Sequence, residues 1–348
     1  EASIVVASPG IPPAQFPTTE AEIISEIELA YRIVQTHDQD YNIIGITGTN
    51  GKTTVASGLA HIFNTQAFGN IGMPFISQVD QLSPNVPIIL ELSSYQIYTS
   101  PTLVCNTSVI LNITQDHVAW HTTFEQYQLA KLGLIRSGVE HVYVPQDVVD
   151  LEAFRGCGAE VHVIDALDNV AMPNLVGGHN HVNAAVMVDI AQSYGLSKDQ
   201  ILERLMSFTL PPFRCQKVYE SNERVIINDS KATNMDATLS AVRSFSPCRV
   251  LILAGEAKGT YTAEWAEQIA EHCDYIYAAG GLAKHKELFP EWFRQRIEWF
   301  SSLKEATDYV VQKHQGTILF SPSAASFDEF SNYIERGEAF TQYVQDYV

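Results

Sequence analysis

Short apolar runs alternate with segments of helical spacing through the first half of the chain. "YNIIGIT" reads as a buried strand, a glycine-rich loop follows, and "TTVASGLAHIF" reads as a helix. "PNVPIILELSS" and "TSVILNIT" are two further buried strands. In "FEQYQLAKLGLIRS", Phe124, Tyr127, Leu129, Leu132 and Leu134 are available for the core face of a helix. "HVYVPQD" and "EVHVIDA" add two strands, and "HNHVNAAVMVDIAQSYG" is a helix stopped by Gly195, a residue suited to the left-handed C′ position. Strands separated by helices predict an α/β domain with a parallel sheet.

The stretch "FTLPPFRCQ" marks a boundary, because its proline pair ends the helix "KDQILERLMSF". A second series follows: "RVIINDS", "CRVLILAG", the helix "TAEWAEQIAEHC", "YIYAAGG", "TILFSPS" and a final helix "DEFSNYIERGEAFTQYVQDY". This alternation predicts a second, Rossmann-like parallel sheet. The expected fold class is α/β, with a central P-loop ATPase-type domain over residues 15–211 and a Rossmann-like domain over residues 212–348. The chain opens on "EASIVVASPGIPP", a buried-type strand running into a turn without an initiator Met. Residues 1–14 are therefore expected to be the tail of a preceding domain.

The length of 348 residues agrees with two domains. A charge of −19, from 40 acidic and 21 basic residues, argues against a nucleic-acid binder, which would show a basic face. No apolar run approaches the roughly 20 residues that span a bilayer, and the first residues do not resemble a signal peptide. Membrane insertion is therefore not expected. The five cysteines form no CxxC pair and read as free thiols in a reducing compartment.

The loop "TGTNGKTT" carries the first chemistry. Gly48 and Gly51 let the N–H groups of Thr49, Asn50 and their neighbours turn in on phosphate oxygens, and the helix beginning near Lys52 and running through Thr54 adds its dipole. Lys52 would reach the β- and γ-phosphates, and the Thr53 hydroxyl would touch Mg²⁺. Ile46 stands where the usual eight-residue pattern has its first glycine, which leaves the shorter G-x-x-G-K-T. A glycine-rich turn with a surface lysine is the plainer alternative. Glu91, following an apolar run, places a carboxylate at the end of a buried strand, where a hard cation is a natural partner. His117 comes from the end of the next strand; a lone histidine is more often structural than a ligand.

Taken together, "SPGIP", "GTNGKTT", "GNIGMP", "ELSSYQ", "LNITQDH", "YQLAK", "GGHNHVNA", "INDSKATN" and "SPSAASFDEF" resemble the Mur ligases, the ATP-dependent amino-acid ligases of peptidoglycan precursor synthesis. The resemblance runs across nearly the whole chain, and "ELSSYQ" and "NDSKATN" point to the D-glutamate-adding branch. It implies that residues 1–14 are a remnant of a UDP-sugar-binding domain. It also implies a cytoplasmic, monomeric enzyme using ATP and two Mg²⁺ ions, with UDP-N-acetylmuramoyl-L-alanine and D-glutamate as substrates and no nucleic-acid or membrane partner.

Carried over residue by residue, the resemblance gives Lys52 and Thr53 the phosphate and Mg²⁺ roles and makes Glu91 and His117 magnesium ligands. Lys131, in "YQLAKLG", falls where the family carries a carbamylated lysine, which would be an anionic ligand for the second magnesium. Asn70 would contact phosphate or substrate, and Asn180 and Asn183 the adenine end of ATP. Arg214 would reach the γ-phosphate and Asp229 the ribose. Lys231, Thr233, Lys258, Ser326 and Tyr333 line up with the D-glutamate pocket, where a dianionic amino acid needs cations and hydroxyls. Three places depart from the family pattern. Ala119 replaces a common Asp, Phe213 and Gln216 replace a His and a Glu flanking Arg214, and Tyr333 stands where Phe is common.

An enzyme of this kind would pass the γ-phosphate to a carboxylate, so that the acyl phosphate reacts with the incoming amine. His117 is better employed there as a ligand than as a base. A switch or motor ATPase would need the loop and Glu91 but not "NDSKATN" and "SPSAASFDEF". A non-catalytic nucleotide-binding relative would not need Lys52, Glu91, His117 and Lys131 together. A relative adding L-glutamate or another amino acid stays open, because charge complementarity does not fix handedness.

Overall fold

The computed structural model describes residues 3–149, 158–164 and 178–348. Two compact units part between Thr209 and Leu210. The expected first strand forms as β1 (Ile4–Val6), but only in a two-stranded parallel sheet with β2 (Glu22–Ile24). Ile4 and Val6 are 39% and 46% exposed, so this strand is not the buried one that its composition predicted.

In the first unit the main sheet is built from β3 (Ile43–Thr47), β4 (Ala67–Gly69), β5 (Ile88–Glu91), β6 (Thr107–Ile110), β7 (His141–Pro145) and β8 (Glu160–Ile164). They lie in the order β4-β5-β3-β6-β7-β8, and every described pairing is parallel. All residues of β3, β5 and β6 are buried, as expected of strands covered on both faces. From β3 the chain crosses outward to β4, returns to β5 and then passes β3 to reach β6. That reversal of direction is where open α/β sheets bind ligands, outside the carboxyl ends of the strands. The helix Lys52–Phe63 leaves β3 at this point, burying Val55, Leu59 and Ile62.

The helix predicted over "FEQYQLAKLGLIRS" spans Phe124–Leu132. Its buried face is Tyr127, Ala130 and Lys131, whereas Leu129 is 66% exposed. Apolar spacing alone put Leu129 inward; the helix instead turns its lysine to the interior. The helix Gly178–Ser193 ends as expected, with Gly195 at φ +87°.

The second unit has β9 (Gln216–Glu220), β10 (Arg224–Asn228), β11 (Cys248–Ala254), β12 (Cys273–Ala279), β13 (Ile297–Phe300) and β14 (Gly316–Ser323), ordered β13-β12-β11-β14-β10-β9. Five strands are parallel, but β9 pairs antiparallel with β10, so the sheet is mixed rather than wholly parallel. The short β9–β10 connection, Ser221 to Glu223, can only make a hairpin, since a parallel crossover needs a dozen or more residues. The last helix starts later than its pattern suggested, at Tyr333, where the Asn332 side chain caps it. Among the described residues no helix is long and apolar enough to cross a membrane.

Candidate active site

The loop after β3 is held by its neighbours as a preformed cradle. Gly51 caps the helix Lys52–Phe63 at φ +86°, a left-handed conformation that glycine adopts without strain. A Cβ at Gly51 would lie 2.7 Å from Asn183 Oδ1. Asn112, just beyond β6, holds the loop on both sides. Its carbonyl accepts from the Thr49 N–H (2.9 Å), its Oδ1 accepts from the Asn50 N–H (2.8 Å), and its amide donates to the Asn50 carbonyl (3.1 Å). The Thr49 hydroxyl lies 2.9 Å from the Tyr127 hydroxyl and accepts from the Thr114 N–H at 2.9 Å.

Two lysines meet at one carbonyl of this loop. Lys52 Nζ donates to the Gly48 oxygen at 2.7 Å and to the Thr49 oxygen at 2.9 Å. Lys131 Nζ, on a side chain only 1% exposed, donates to the same Gly48 oxygen at 2.7 Å and sits 4.7 Å from the centre of the Tyr127 ring. Burial, reinforced by the charge of Lys52, pushes Lys131 well below the ordinary lysine range, with Asp116 and Glu91 pulling the other way. Thr53 and Thr54 occupy the first turn of the helix, half-buried and buried respectively.

Glu91 ends β5 and is buried. Its Oε1 accepts from the Asn70 amide at 3.0 Å, while Oε2 is buried without a hydrogen-bond partner. A carboxylate oxygen left so is costly unless a cation joins it. His117 lies at the turn after β6 with φ +54°. Its Nδ1 is 2.6 Å from the Tyr95 hydroxyl, and its Nε2 is 3.6 Å from Asp116 Oδ2. The orphaned carboxylate oxygen of Glu91 suits a hard divalent cation, which prefers oxygen donors. An ammonium at Lys131 cannot ligate such an ion; a carbamate there can. Asn180 and Asn183 are buried and joined by a 3.1 Å amide–amide hydrogen bond. Asn183 faces Gly51, beside the glycine-rich loop. The side chain of Ala119 lies outside the described residues.

In the second unit the loops after β10, β11 and β14 carry the remaining candidates. Asp229 is buried, its Oδ1 accepting from the Cys215 N–H at 3.1 Å and its Oδ2 from the Ser321 hydroxyl at 2.9 Å. Lys231 Nζ stands 4.1 Å from the centre of the Tyr333 ring, a cation–π pair between two candidate pocket residues. Thr233 is half-buried in the turn before the helix Met235–Ser244, Ser326 is buried and Lys258 is exposed. Arg214 is flanked by Phe213 and Cys215, both at positive φ. The departures beside it have local explanations. Gln216 Oε1 accepts the Phe213 N–H at 3.0 Å, as a glutamate could, and Phe213 packs tightly on Gly337.

Burial pushes the Asp229 carboxyl up from 3.8 to about 6, against the donors Ser321 and Cys215. Between those values the folded chain holds the proton that the unfolded chain releases. This group therefore makes stability fall as pH rises from about 4 to about 6, on the order of 3 kcal/mol in all, with no further change above. The stability difference between the wild type and Asp229→Asn, from urea titrations, is expected to change by that amount across the window. A difference constant with pH would mean that Asp229 titrates alike in the folded and the unfolded chain.

The Mur ligase middle domain family model matches residues 46–148, and that of the Mur ligase glutamate ligase domain matches residues 213–324. The chain is 34% identical to the UDP-N-acetylmuramoylalanine–D-glutamate ligase of Zymomonas mobilis, over 99% of this chain and 82% of the relative. It is 30% identical to the enzyme of the same name from Prochlorococcus marinus, with the same coverage. The chain belongs to the Mur ligase family. Solved structures agree on the fold. The MurF ligase from Thermotoga maritima in complex with ADP gives a TM-score of 0.70 at 16% identity, covering 96% of this chain and 88% of that one. Folylpolyglutamate synthase of Mycobacterium tuberculosis complexed with ADP and AMPPCP gives 0.69 at 13% identity, covering 91% and 94%.

Residue patterns in this Mur ligase did not single out Asn112, Tyr95, Asp116 or Arg336. The first three lie inside "LNITQDH" and "ELSSYQ", so the motifs held the signal without saying which member mattered. Arg336 is fully buried and donates to backbone oxygens of Ser230, Ala254 and Ala324, tying together the three loops of the second unit.

Proposed function

We propose that this Mur ligase joins D-glutamate to UDP-N-acetylmuramoyl-L-alanine at the expense of ATP, in the cytoplasm. The observation that carries the reading is the meeting of Lys52 and Lys131 at the Gly48 oxygen, with Glu91 and its orphaned oxygen ending the strand next to β3. Two amines and a carboxylate around a glycine-rich cradle suit a polyphosphate with its cations. The relatives of this name at 30% and 34% identity over nearly the whole chain support the choice of substrates.

A carboxylate is a poor electrophile, because oxide is a very poor leaving group. Transfer of the γ-phosphoryl group to the carboxylate of UDP-N-acetylmuramoyl-L-alanine releases ADP and forms an acyl phosphate. The D-glutamate amine then attacks the acyl carbon, loses a proton, and expels inorganic phosphate as the amide forms. The loop N–H groups around Gly48, Thr49, Asn50 and Gly51, with Lys52, hold the phosphates and stabilise charge on the group in transfer. Thr53, Glu91, His117 and a carbamylated Lys131 would hold two Mg²⁺ ions, which, when bound, neutralise phosphate and acceptor charge. Carbamylation consumes the neutral amine of Lys131 and CO₂ and releases a proton; the buried position of the side chain favours that neutral amine.

Asn70, whose amide orients Glu91, stands ready to contact the substrate carboxylate or phosphate. Asn180, Asn183, Arg214 and Asp229 are proposed nucleotide ligands. Lys231, Thr233, Lys258, Ser326 and Tyr333 are proposed to receive D-glutamate, with lysines for its two carboxylates and hydroxyls as further donors. We assign residues 15–211 to the ATPase domain and residues 212–348 to the amino-acid domain.

The test offers the natural full-length protein ATP, Mg²⁺ and UDP-N-acetylmuramoyl-L-alanine with D-Glu, L-Glu, D-Asp or meso-diaminopimelate, and reads the products by mass. Amide with D-Glu alone is expected. Amide with L-Glu in place of D-Glu would overturn the stereochemistry. ATP hydrolysis without any of these amides would overturn the substrate.

A further inference from the structure

The amino-terminal edge of the first unit's main sheet, opposite the phosphate loop, carries another group of ligand-type side chains. Parallel register places His141 of β7 opposite Glu160 of β8, and Tyr143 opposite His162. Alternate residues of a strand share a face, so His141, Glu160 and His162 project to the same side. The other side of β7 is buried through Val142 and Val144. His141 Nδ1 lies 3.2 Å from His162 Nε2 and 3.5 Å from Glu160 Oε2, and His162 Nε2 lies 3.9 Å from that oxygen. A tetrahedral ion with bonds of about 2.0–2.1 Å sets its ligand atoms roughly 3.3 Å apart. The three atoms thus already approach the face of such a tetrahedron. Among the described residues this is the one trio of His, Cys, Asp or Glu that could hold a metal ion.

The rings are also held in place. Tyr143 stacks on His162 with centroids 4.5 Å apart and planes at 13°, and the two histidine rings lie 5.3 Å apart. Without a metal, the 3.2 Å contact between ring nitrogens needs one to donate and the other to accept. Two imidazoles and one carboxylate are the donors of zinc-type sites, whereas Mg²⁺ favours sites built mainly of oxygen donors. We propose that His141, Glu160 and His162 form a site for a divalent transition-metal ion of the zinc class, with water in the fourth position. The ion joins β8, the edge strand, to β7 and so fastens the border of the sheet.

The test titrates the chelator-treated full chain with Zn²⁺ in excess Mg²⁺, alongside His141→Gln, His162→Gln and, to account for the phosphate-loop region, Glu91→Gln. Wild type and Glu91→Gln are expected to bind one zinc ion and to melt at a higher temperature with it. The two histidine variants should bind at least ~10-fold more weakly and lose the thermal shift, while keeping wild-type ligase activity. Co²⁺ in place of Zn²⁺ should give the intense visible absorption of a four-coordinate ion in the wild type only, relative to the histidine variants. If one histidine variant misfolds by circular dichroism, the other and Glu160→Gln carry the comparison. Equal zinc affinity in wild type and histidine variants, no zinc binding at all, or loss of binding in Glu91→Gln would each overturn the proposal.

Discussion

Replacing Lys131 with methionine is expected to lower kcat at least ~10²-fold while leaving the protein as stable as the wild type or more so. Methionine matches the length and flexibility of lysine and places no amine in the interior. The wild-type amine is almost wholly buried, and burial disfavours its charged form. Its main hydrogen bond goes to the Gly48 oxygen, which Lys52 also satisfies at 2.7 Å, so the substitution orphans no acceptor there. A structural role would make activity and stability fall together; a role in the reaction separates them. Urea midpoints and kcat at saturating ATP measure the two. A variant both unstable and inactive would demote Lys131 to a packing residue, and an active one would remove it from the mechanism altogether.

That same residue shows where sequence reasoning stops. Apolar spacing placed Leu129 inward on the helix Phe124–Leu132, but the core takes Lys131 and leaves Leu129 in solvent. A periodicity argument rewards apolar side chains, so a buried lysine reads as noise; only the family resemblance nominated it. The loop after β3 and the carboxylate ending β5 were legible because each rests on a local pattern, glycine spacing in one case and a charge closing an apolar run in the other. Asn112 and Tyr127 were not, since their roles come from contacts with Thr49 and Asn50, more than sixty residues away in sequence. The antiparallel β9 escaped because "RCQKVYE" lacks the apolar run of a buried strand, and an edge strand needs none. Phe213 and Gln216 stood out as departures from a pattern, and what the pattern could not show is that Gln216 accepts the Phe213 N–H.

Arg336→Ala is expected to cost the second unit about 3–5 kcal/mol, the cost of breaking a buried charged network. "YIERGEAF" gives no hint of this, because an arginine in an amphipathic helix reads as solvent-facing. Arg336 is instead fully buried, donating to the Ser230 hydroxyl (3.1 Å) and to the carbonyls of Ser230 (2.8 Å), Ala254 (3.1 Å) and Ala324 (3.0 Å). Burial lowers its pKa to about 10, so it remains charged at neutral pH, aided by Asp328, Asp229 and Glu329. Gly255 makes room for the guanidinium: it takes φ +123°, and a Cβ there would come within 2.8 Å of Arg336 and 2.1 Å of the Ala325 oxygen. Alanine would leave a cavity and three carbonyls without this donor. Lysine would recover only part of the loss, because one ammonium cannot reproduce a planar fork spanning three loops. Those loops lead to Lys231, Lys258 and Ser326, and Ser230 adjoins Asp229, a proposed nucleotide ligand, so KM for the amino acid and KM for ATP should both rise in Arg336→Lys. Urea unfolding followed in the second unit, together with the two KM values, decides the matter. An alanine variant within ~0.5 kcal/mol of the wild type, the range of an ordinary surface change, would show that the loops keep their shape without the arginine.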